Sequence, residues 1–326
     1  MSGQATRDVV MVRPHHFAPN PETIADNLFQ PRVPVEPTSA LAQAAFQEVT
    51  RMVASLTEAG IRVHLFEDED AGRPDSVFPN NWFTTHPDGR VALYPMYSPS
   101  RRAERRREVI DALRGSFRIT AVHDYSVLED DELYLEGTGS MVLDHEHRIA
   151  YVARSFRSHD RAVAMVCRDL GYQPVLFSTV DLRGAPIYHT NVMMAVGSRV
   201  ALVALDSVPD AGERQAVASS LADTGHTVVE LSGEQLDEFA GNTIELTGAD
   251  GPCLVISARA HASLERHQLD VLTAHLRLLP IEVPTIELAG GSVRCMIAGI
   301  HLPPRVDGRA NGVPVGGGPV VEAAPA

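Results

Sequence analysis

The run His189-Thr190-Asn191-Val192-Met193-Met194 sets a turn of small and amide residues directly ahead of an apolar strand. The same order of residue types occurs at Pro79-Asn80-Asn81-Trp82-Phe83, Gly137-Thr138-Gly139-Ser140-Met141-Val142-Leu143, Gly241-Asn242-Thr243-Ile244-Glu245-Leu246 and Gly290-Gly291-Ser292-Val293-Arg294-Cys295. From Asn80 through Thr138, His189 and Gly241 to Gly290 the spacings are 58, 51, 52 and 49 residues. A period near fifty marks a repeat architecture whose units share one core, because each is too small to bury its own apolar face.

Helical candidates alternate with these turns. Residues 39–58 are rich in alanine, carry apolar residues at helical spacing and run up to Gly60. Residues 101–113 are rich in Arg and Glu, with Ser100 as an N-cap. Residues 160–170 and 211–224 run up to Gly171 and Gly225, which suit the end of a helix. Residues 262–278 give the last helix. Short β-rich runs follow most of them at 62–66, 173–177, 227–231 and 281–284. The unit is therefore β–β–α–β, repeated about five times in one α/β domain over residues 1–305. Five such units can close into a ring, with the first strand (residues 9–12) completing the last unit and removing two free edges. Residues 306–326, rich in Gly, Pro and Ala, read as a flexible tail.

Composition narrows the function. The chain has 326 residues and a net charge of -14, from 42 acidic and 28 basic residues. Such acidity repels nucleic acid and anionic membrane, so neither is expected as a partner. No apolar run approaches the ~20 residues of a membrane span, and residues 1–12 are too short and polar for a signal peptide. The three cysteines have no CxxC spacing, which argues for a reducing compartment, hence the cytoplasm, and against a thiolate zinc site. The sequence has no lysine, which removes Walker-type phosphate loops, lysine Schiff bases and pyridoxal-phosphate chemistry. No metal and no cofactor is expected. A homo-oligomer is compatible with the sequence, which does not fix the oligomeric state.

Among the cysteines, Cys167 sits in an apolar-periodic helix and Cys253 opens a strand, which are packing positions. Cys295 instead follows paired glycines that permit close backbone approach, beside Arg294, whose charge favours a thiolate. A thiol nucleophile needs a proton-transfer partner, and His189 stands at the equivalent repeat turn. Glu136, between Leu135 and Gly137 at another repeat turn, suits a group that orients the imidazole. Ring closure would gather all three on one axis. His145 and His147 read as a solvated hairpin turn, His15 and His16 as rim, and Arg101 to Arg107 as largely a solvated helix face.

These motifs, Leu135-Glu136-Gly137, the strand-leading His189 and the C-terminal Gly-Gly-Ser-Val-Arg-Cys, resemble the pentein superfamily over nearly the whole chain. That superfamily includes arginine deiminases, dimethylarginine dimethylaminohydrolases, amidinotransferases and bacterial citrulline hydrolases. The nearest likeness is to the citrulline-hydrolase branch, carried by the nine residues from Phe78 to His86 and by Tyr188-His189-Thr190-Asn191-Val192. The resemblance implies a five-bladed α/β propeller, metal-free chemistry and a small amino-acid substrate in the central channel. It implies Cys295 as nucleophile, His189 as acid and base, Glu136 as its partner, and Arg157 as the grip on the substrate carboxylate, with Arg101 or Arg102 assisting. Guanidinium forks suit carboxylates on chemical grounds.

Two departures bear on the substrate. Asn81 and Asn191 stand where guanidinium-binding relatives tend to carry aspartate. A neutral amide cannot compensate a buried guanidinium, whereas it matches the donors and acceptors of a ureido group. Citrulline is thus favoured over arginine, although Asp75 or Asp124 would restore a negative charge. In the implied reaction Cys295 attacks the ureido carbon, and backbone N–H groups of the 290–295 turn stabilise the oxyanion. Ammonia leaves, and water then releases ornithine and CO2. The alternatives are an arginine deiminase, a dimethylarginine dimethylaminohydrolase, an amidinotransferase, and a non-catalytic propeller that binds a partner.

Overall fold

The computed structural model describes residues 3–24, 27, 29–31 and 37–305; the expected tail at 306–326 lies outside them. Among the described residues, fifteen strands form five sheets of three. The first sheet holds β1 (Asp8–Pro14) and β2 (Arg62–Asp68), the second β3 (Phe83–Thr85), β4 (Arg90–Leu93) and β5 (Ala121–Asp124). The third holds β6 (Met141–Asp144), β7 (Ile149–Ala153) and β8 (Gln173–Phe177), the fourth β9 (Met194–Val196), β10 (Val200–Val203) and β11 (Thr227–Glu230). The fifth holds β12 (Ile244–Gly248), β13 (Gly251–Ser257) and β14 (Arg277–Ile281), and β15 (Ala298–Ile300) returns to the first sheet.

Four of the sheets are an antiparallel hairpin followed by a helical crossover to a parallel strand, as in β6–β7 and β7–β8, and the first has the same pairing with β15 in place of a hairpin partner. The crossovers carry helices α1 (Ser39–Glu58), α2 (Arg107–Ser116), α3 (Asp160–Leu170), α4 (Ala211–Asp223) and α5 (Arg266–Thr273). This is the ββαβ unit in a five-bladed α/β propeller. The ring closes where β15 pairs antiparallel with β1, Val9 opposite Gly299, while β1 pairs parallel with β2, Val9 opposite Val63. The chain thus completes its first blade with its last strand, and neither β1 edge is left open.

Helices form where the apolar spacing puts one stripe against a blade. In α1 the side chains of Val49, Met52 and Leu56 are fully buried in one cluster with Val9 and Met11 of β1. Each contributes roughly 1.5–3 kcal/mol of apolar burial. Among the described residues no helix is long and apolar enough to cross a membrane.

Two stretches differ from the expected helices. Residues 101–113 are divided between a short turn of helix, Pro99–Arg102, and α2. The break lets Arg101 turn inward instead of lying on a solvated face. Residues 262–278 are also divided. The helix Ala258–Ser263 is capped by Ser257, and α5 starts afresh from a capping box made by Glu265 and Gln268. The following strand accordingly begins at Arg277, earlier than the 281–284 reading.

Candidate active site

The repeat turns are joined to one another around the ring. Thr138 Oγ1 donates to Asn80 O at 3.1 Å, and Thr190 Oγ1 donates to Ser140 O at 2.5 Å. Asn242 Nδ2 donates to Asn191 O at 2.9 Å, and Asn242 Oδ1 accepts from Ser292 N at 3.1 Å. Each turn therefore anchors the next, and residues far apart in sequence meet at one mouth of the central axis. His189 and Glu136 stand the same distance ahead of β9 and β6, as do Asn191 and Cys295 ahead of β9 and β15.

Cys295, His189, Arg157, Arg101, Asn81 and Asp75 all line one pocket. It is small, about 10 Å³ as it stands, because Thr23 and Asn27 from the segment between β1 and α1 cover it. Asn27 Nδ2 and Gln30 Nε2 fasten that segment to Ala289 O at 3.2 and 3.0 Å.

The nucleophile candidate has two amide donors. Asn191 Nδ2 lies 3.3 Å and Asn242 Nδ2 3.2 Å from Cys295 Sγ. Both favour sulfur carrying negative charge, because a hydrogen bond to a charged acceptor is the stronger kind. Asn191 Oδ1 is buried without a partner. It is an acceptor beside the sulfur, ready for an N–H group of a bound molecule. Cys167 and Cys253 lie elsewhere, in packing clusters. Burial pushes the Cys167 thiol up to about 12 and raises that of Cys253, so neither is poised as a nucleophile.

His189 Nε2 and Glu136 Oε2 are 2.8 Å apart and both residues are buried. Burial takes the imidazole down to about 4 even though Glu136 pulls it upward, so His189 is neutral at pH 7. For Glu136, burial alone would raise the carboxyl. The Arg157 charge, the His189 hydrogen bond and the Arg101 charge outweigh it and hold the group ionised. Arg157 and Arg101 each approach Glu136 Oε2 at 3.5 Å, and Tyr97 N donates to Oε1 at 2.9 Å. The result is a fixed carboxylate that orients a neutral imidazole.

Gly139 makes this meeting sterically feasible. A Cβ there would sit 2.3 Å from the Asn81 amide and 2.8 Å from His189 Nδ1. With its oxygen facing Arg101, Asn81 accepts from Nη2 at 3.0 Å and Nη1 at 3.1 Å, and its Nδ2 donates to Asn80 Oδ1 at 3.2 Å.

Several expectations change. Arg101 is 2 % exposed and pairs with Glu104 at 2.9 Å, a buried acid that the sequence reading passed over. Burial raises Glu104 to about 7. Arg102 faces away, to Met96 O and Glu129, and is not in the pocket. Asp75 is in the pocket, held by Asn20 Nδ2 at 2.8 Å and near Arg101 at 3.6 Å, and burial raises its carboxyl. Asp124 is exposed on β5 and supplies no charge here. The 290–295 turn is a weaker oxyanion donor than expected. Its Gly290, Ser292 and Cys295 amides already bond Glu287 O, Asn242 Oδ1 and Ser292 O. Among the described residues, no three His, Cys, Asp or Glu side chains are grouped to hold a metal.

Asn242 is the other omission. Its signal was visible, since Gly241-Asn242-Thr243 is one of the five repeat turns and carries an amide there, as the turn with Asn191 does.

Comparison with known proteins bears on the fold and the family. No curated protein matches the sequence. Among solved structures, the N-terminal domain of ArgZ covalently bound to a reaction intermediate superposes with a TM-score of 0.71 at 18% identity, over 91% of this chain and 99% of that one. ArgZ is described as an arginine dihydrolase from the ornithine-ammonia cycle in Cyanobacteria. An AgrE variant with L-arginine gives 0.72 at 18% identity, over 93% of this chain and 41% of that one. A variant of the DDAH from Pseudomonas aeruginosa complexed with citrulline gives 0.60 at 14%, over 90% and 99%. These likenesses establish the shared pentein fold. The family model for the eukaryotic N,N dimethylarginine dimethylhydrolases matches residues 13–302, and the chain belongs to that hydrolase family.

Proposed function

We propose that the protein is a cysteine hydrolase that breaks a C–N bond at the ureido carbon of citrulline, giving ornithine, CO2 and ammonia. The observation that carries the reading is the set of neutral amides around the sulfur, with Asn191 and Asn242 bonded to it and Asn81 on the pocket wall. Asn191 presents a neutral, unpartnered acceptor beside Cys295, and the Asn81 oxygen is occupied by Arg101. A guanidinium brought to these groups would be desolvated against neutral oxygens, whereas a ureido NH2 finds an acceptor without charge mismatch.

Neutral His189 takes the Cys295 proton as substrate enters, and the sulfur attacks the ureido carbon. Asn191 and Asn242, which lie against the sulfur, follow the charge as it moves to the oxyanion. Protonated His189, steadied by Glu136, then gives its proton to the departing ammonia. The same imidazole, neutral again, activates water to cleave the thiocarbamate. The released carbamate loses CO2 and leaves ornithine. Arg157 and Asp75 supply opposite charges for the two ends of an amino acid.

A second reading is favoured by Asp75, whose carboxylate lines the pocket, and by family membership. In it arginine is hydrolysed first, and the ureido product is hydrolysed in turn, as the description of ArgZ as an arginine dihydrolase suggests. The test is incubation with citrulline and with arginine separately, with products identified by mass spectrometry, in wild type and Asn81→Asp. The proposal expects ornithine from citrulline and poor arginine turnover. It also expects Asn81→Asp to shift the citrulline/arginine ratio of kcat/KM roughly five- to 150-fold toward arginine, the effect of ~1–3 kcal/mol. Wild-type preference for arginine, ending at citrulline and ammonia, would overturn it.

A further inference from the structure

Farther along the inner strands, beyond the active-site turns, the central channel holds a second cavity of about 60 Å³, walled by β3, β6, β9, β12 and β15. By the same measure a single water needs roughly 10–15 Å³. The space therefore suits a few waters or one small ion, and nothing as large as an amino acid.

Its two charged side chains, Arg294 and Glu245, are not paired with each other. Arg294 lines it, and among the described residues its one hydrogen-bond acceptor is Ile297 O at 2.9 Å, with no carboxylate within ion-pair distance. Glu245 also lines the cavity, but its two oxygens are taken by Ser198 N at 2.8 Å and Ser198 Oγ at 2.7 Å. His145 and His301 stack at 3.8 Å, and their Nδ1 atoms are occupied by Tyr172 Oη and Gly3 O. Burial keeps both imidazoles neutral, and the nearby Arg294 charge adds to that. Thr243 Oγ1, on the wall, is buried without a partner. The Glu245 carboxylate has donors of its own, whereas the Arg294 guanidinium has a single carbonyl and the Thr243 hydroxyl has none, so the unmet demand in the cavity is for an acceptor at these two groups.

We propose that this cavity binds one small monovalent anion, a halide or a formate-sized carboxylate, held by Arg294 and the Thr243 hydroxyl. The site lies behind the nucleophile, because Arg294, which carries its positive charge, is the chain neighbour of Cys295. A bound anion offsets that positive charge and slows reaction at the sulfur.

The test uses chloride, formate and sulfate at matched ionic strength. The full chain should broaden the chloride-35 NMR line in excess of buffer. Formate should compete, and sulfate, too large and doubly charged, should not. Arg294→Met should abolish the broadening, and Thr243→Val, which keeps the charge, should weaken chloride binding about threefold or more. Chloride should also slow iodoacetamide alkylation of Cys295 in wild type. No excess broadening in wild type would overturn the site, as would broadening indifferent to formate or unchanged in Thr243→Val. The binding readout is independent of the substrate reading, so the two can fail separately.

Discussion

Replacing Asn242 with alanine removes three hydrogen bonds at once: the donor to Cys295 Sγ at 3.2 Å, the donor to Asn191 O at 2.9 Å and the acceptor for Ser292 N at 3.1 Å. The first acts on reactivity. A hydrogen bond to a charged group is worth ~1.5–3 kcal/mol, so its loss should lower kcat/KM by roughly ten- to 150-fold. The other two act on stability, since each leaves a buried backbone group unpaired at ~1–3 kcal/mol. Asn242→Asp separates the effects. It keeps the acceptor for Ser292 N but removes the N–H donor and puts negative charge beside the sulfur. If Asn242 stabilises the thiolate, the Asp variant regains stability yet alkylates with iodoacetamide more slowly than the Ala variant. The assay is the alkylation rate at Cys295, located by mass spectrometry, together with kcat/KM and the urea midpoint. Alkylation in Asn242→Asp equal to wild type would refute the reasoning, as would Asn242→Ala within twofold of wild type on both rates.

Two further outcomes follow from the same geometry. Gly139 does not have a positive φ, so Gly139→Ala is conformationally allowed but crowds Asn81 and His189. It should cost ~1–3 kcal/mol of stability and lower kcat at least tenfold while the far-ultraviolet circular dichroism is retained, and unchanged kcat would contradict this. Acid should also destabilise the protein. Burial takes His86 to about 3 and His189 and His301 to about 4. The unfolded chain instead takes up these protons near the ordinary 6.5. Stability from each is intact above 6.5 and is lost as pH falls from there to about 4, at up to ~1.4 kcal/mol per pH unit. Glu104, raised by burial to about 7, works in the opposite sense up to that pH. Urea midpoints that stay constant from pH 7 to 4.5 would exclude this linkage.

The blades were legible because the repeat turns recur near fifty residues and each precedes a strand that must face the axis. His189 and Glu136 stand at equivalent positions of the repeat, and Cys295 stands where another turn has Asn191. Side-chain direction was less legible. Arg101 and Arg102 are adjacent in one basic run, yet one is buried against Glu104 and the other faces Glu129, because the helix breaks between Arg102 and Arg107. Charge patterning along a continuous helix carries no signal for such a break. His145 was read as solvated from its charged hairpin, but stacking on His301 draws it into the channel, and that contact depends on a strand far away in sequence. The Asn242 amide reveals its task only when the fifth turn is brought beside the sulfur.

The chain of bonds from turn to turn has its final link at Ser292, and the pairing that completes the first blade spans only Asp8 to Val10 and Ala298 to Ile300. Cys295 lies between these two fastenings. A polypeptide not yet extended to residue 295 carries His189, Glu136 and both guanidinium groups but no nucleophile. A finished molecule that frays at β15 would lose its reactive sulfur while most of its helices stay formed, since a pairing of only three residues opens at lower free energy than the longer ones. Thiol reactivity therefore reports whether the circle is whole, and heating or mild denaturant should extinguish it before helical content falls.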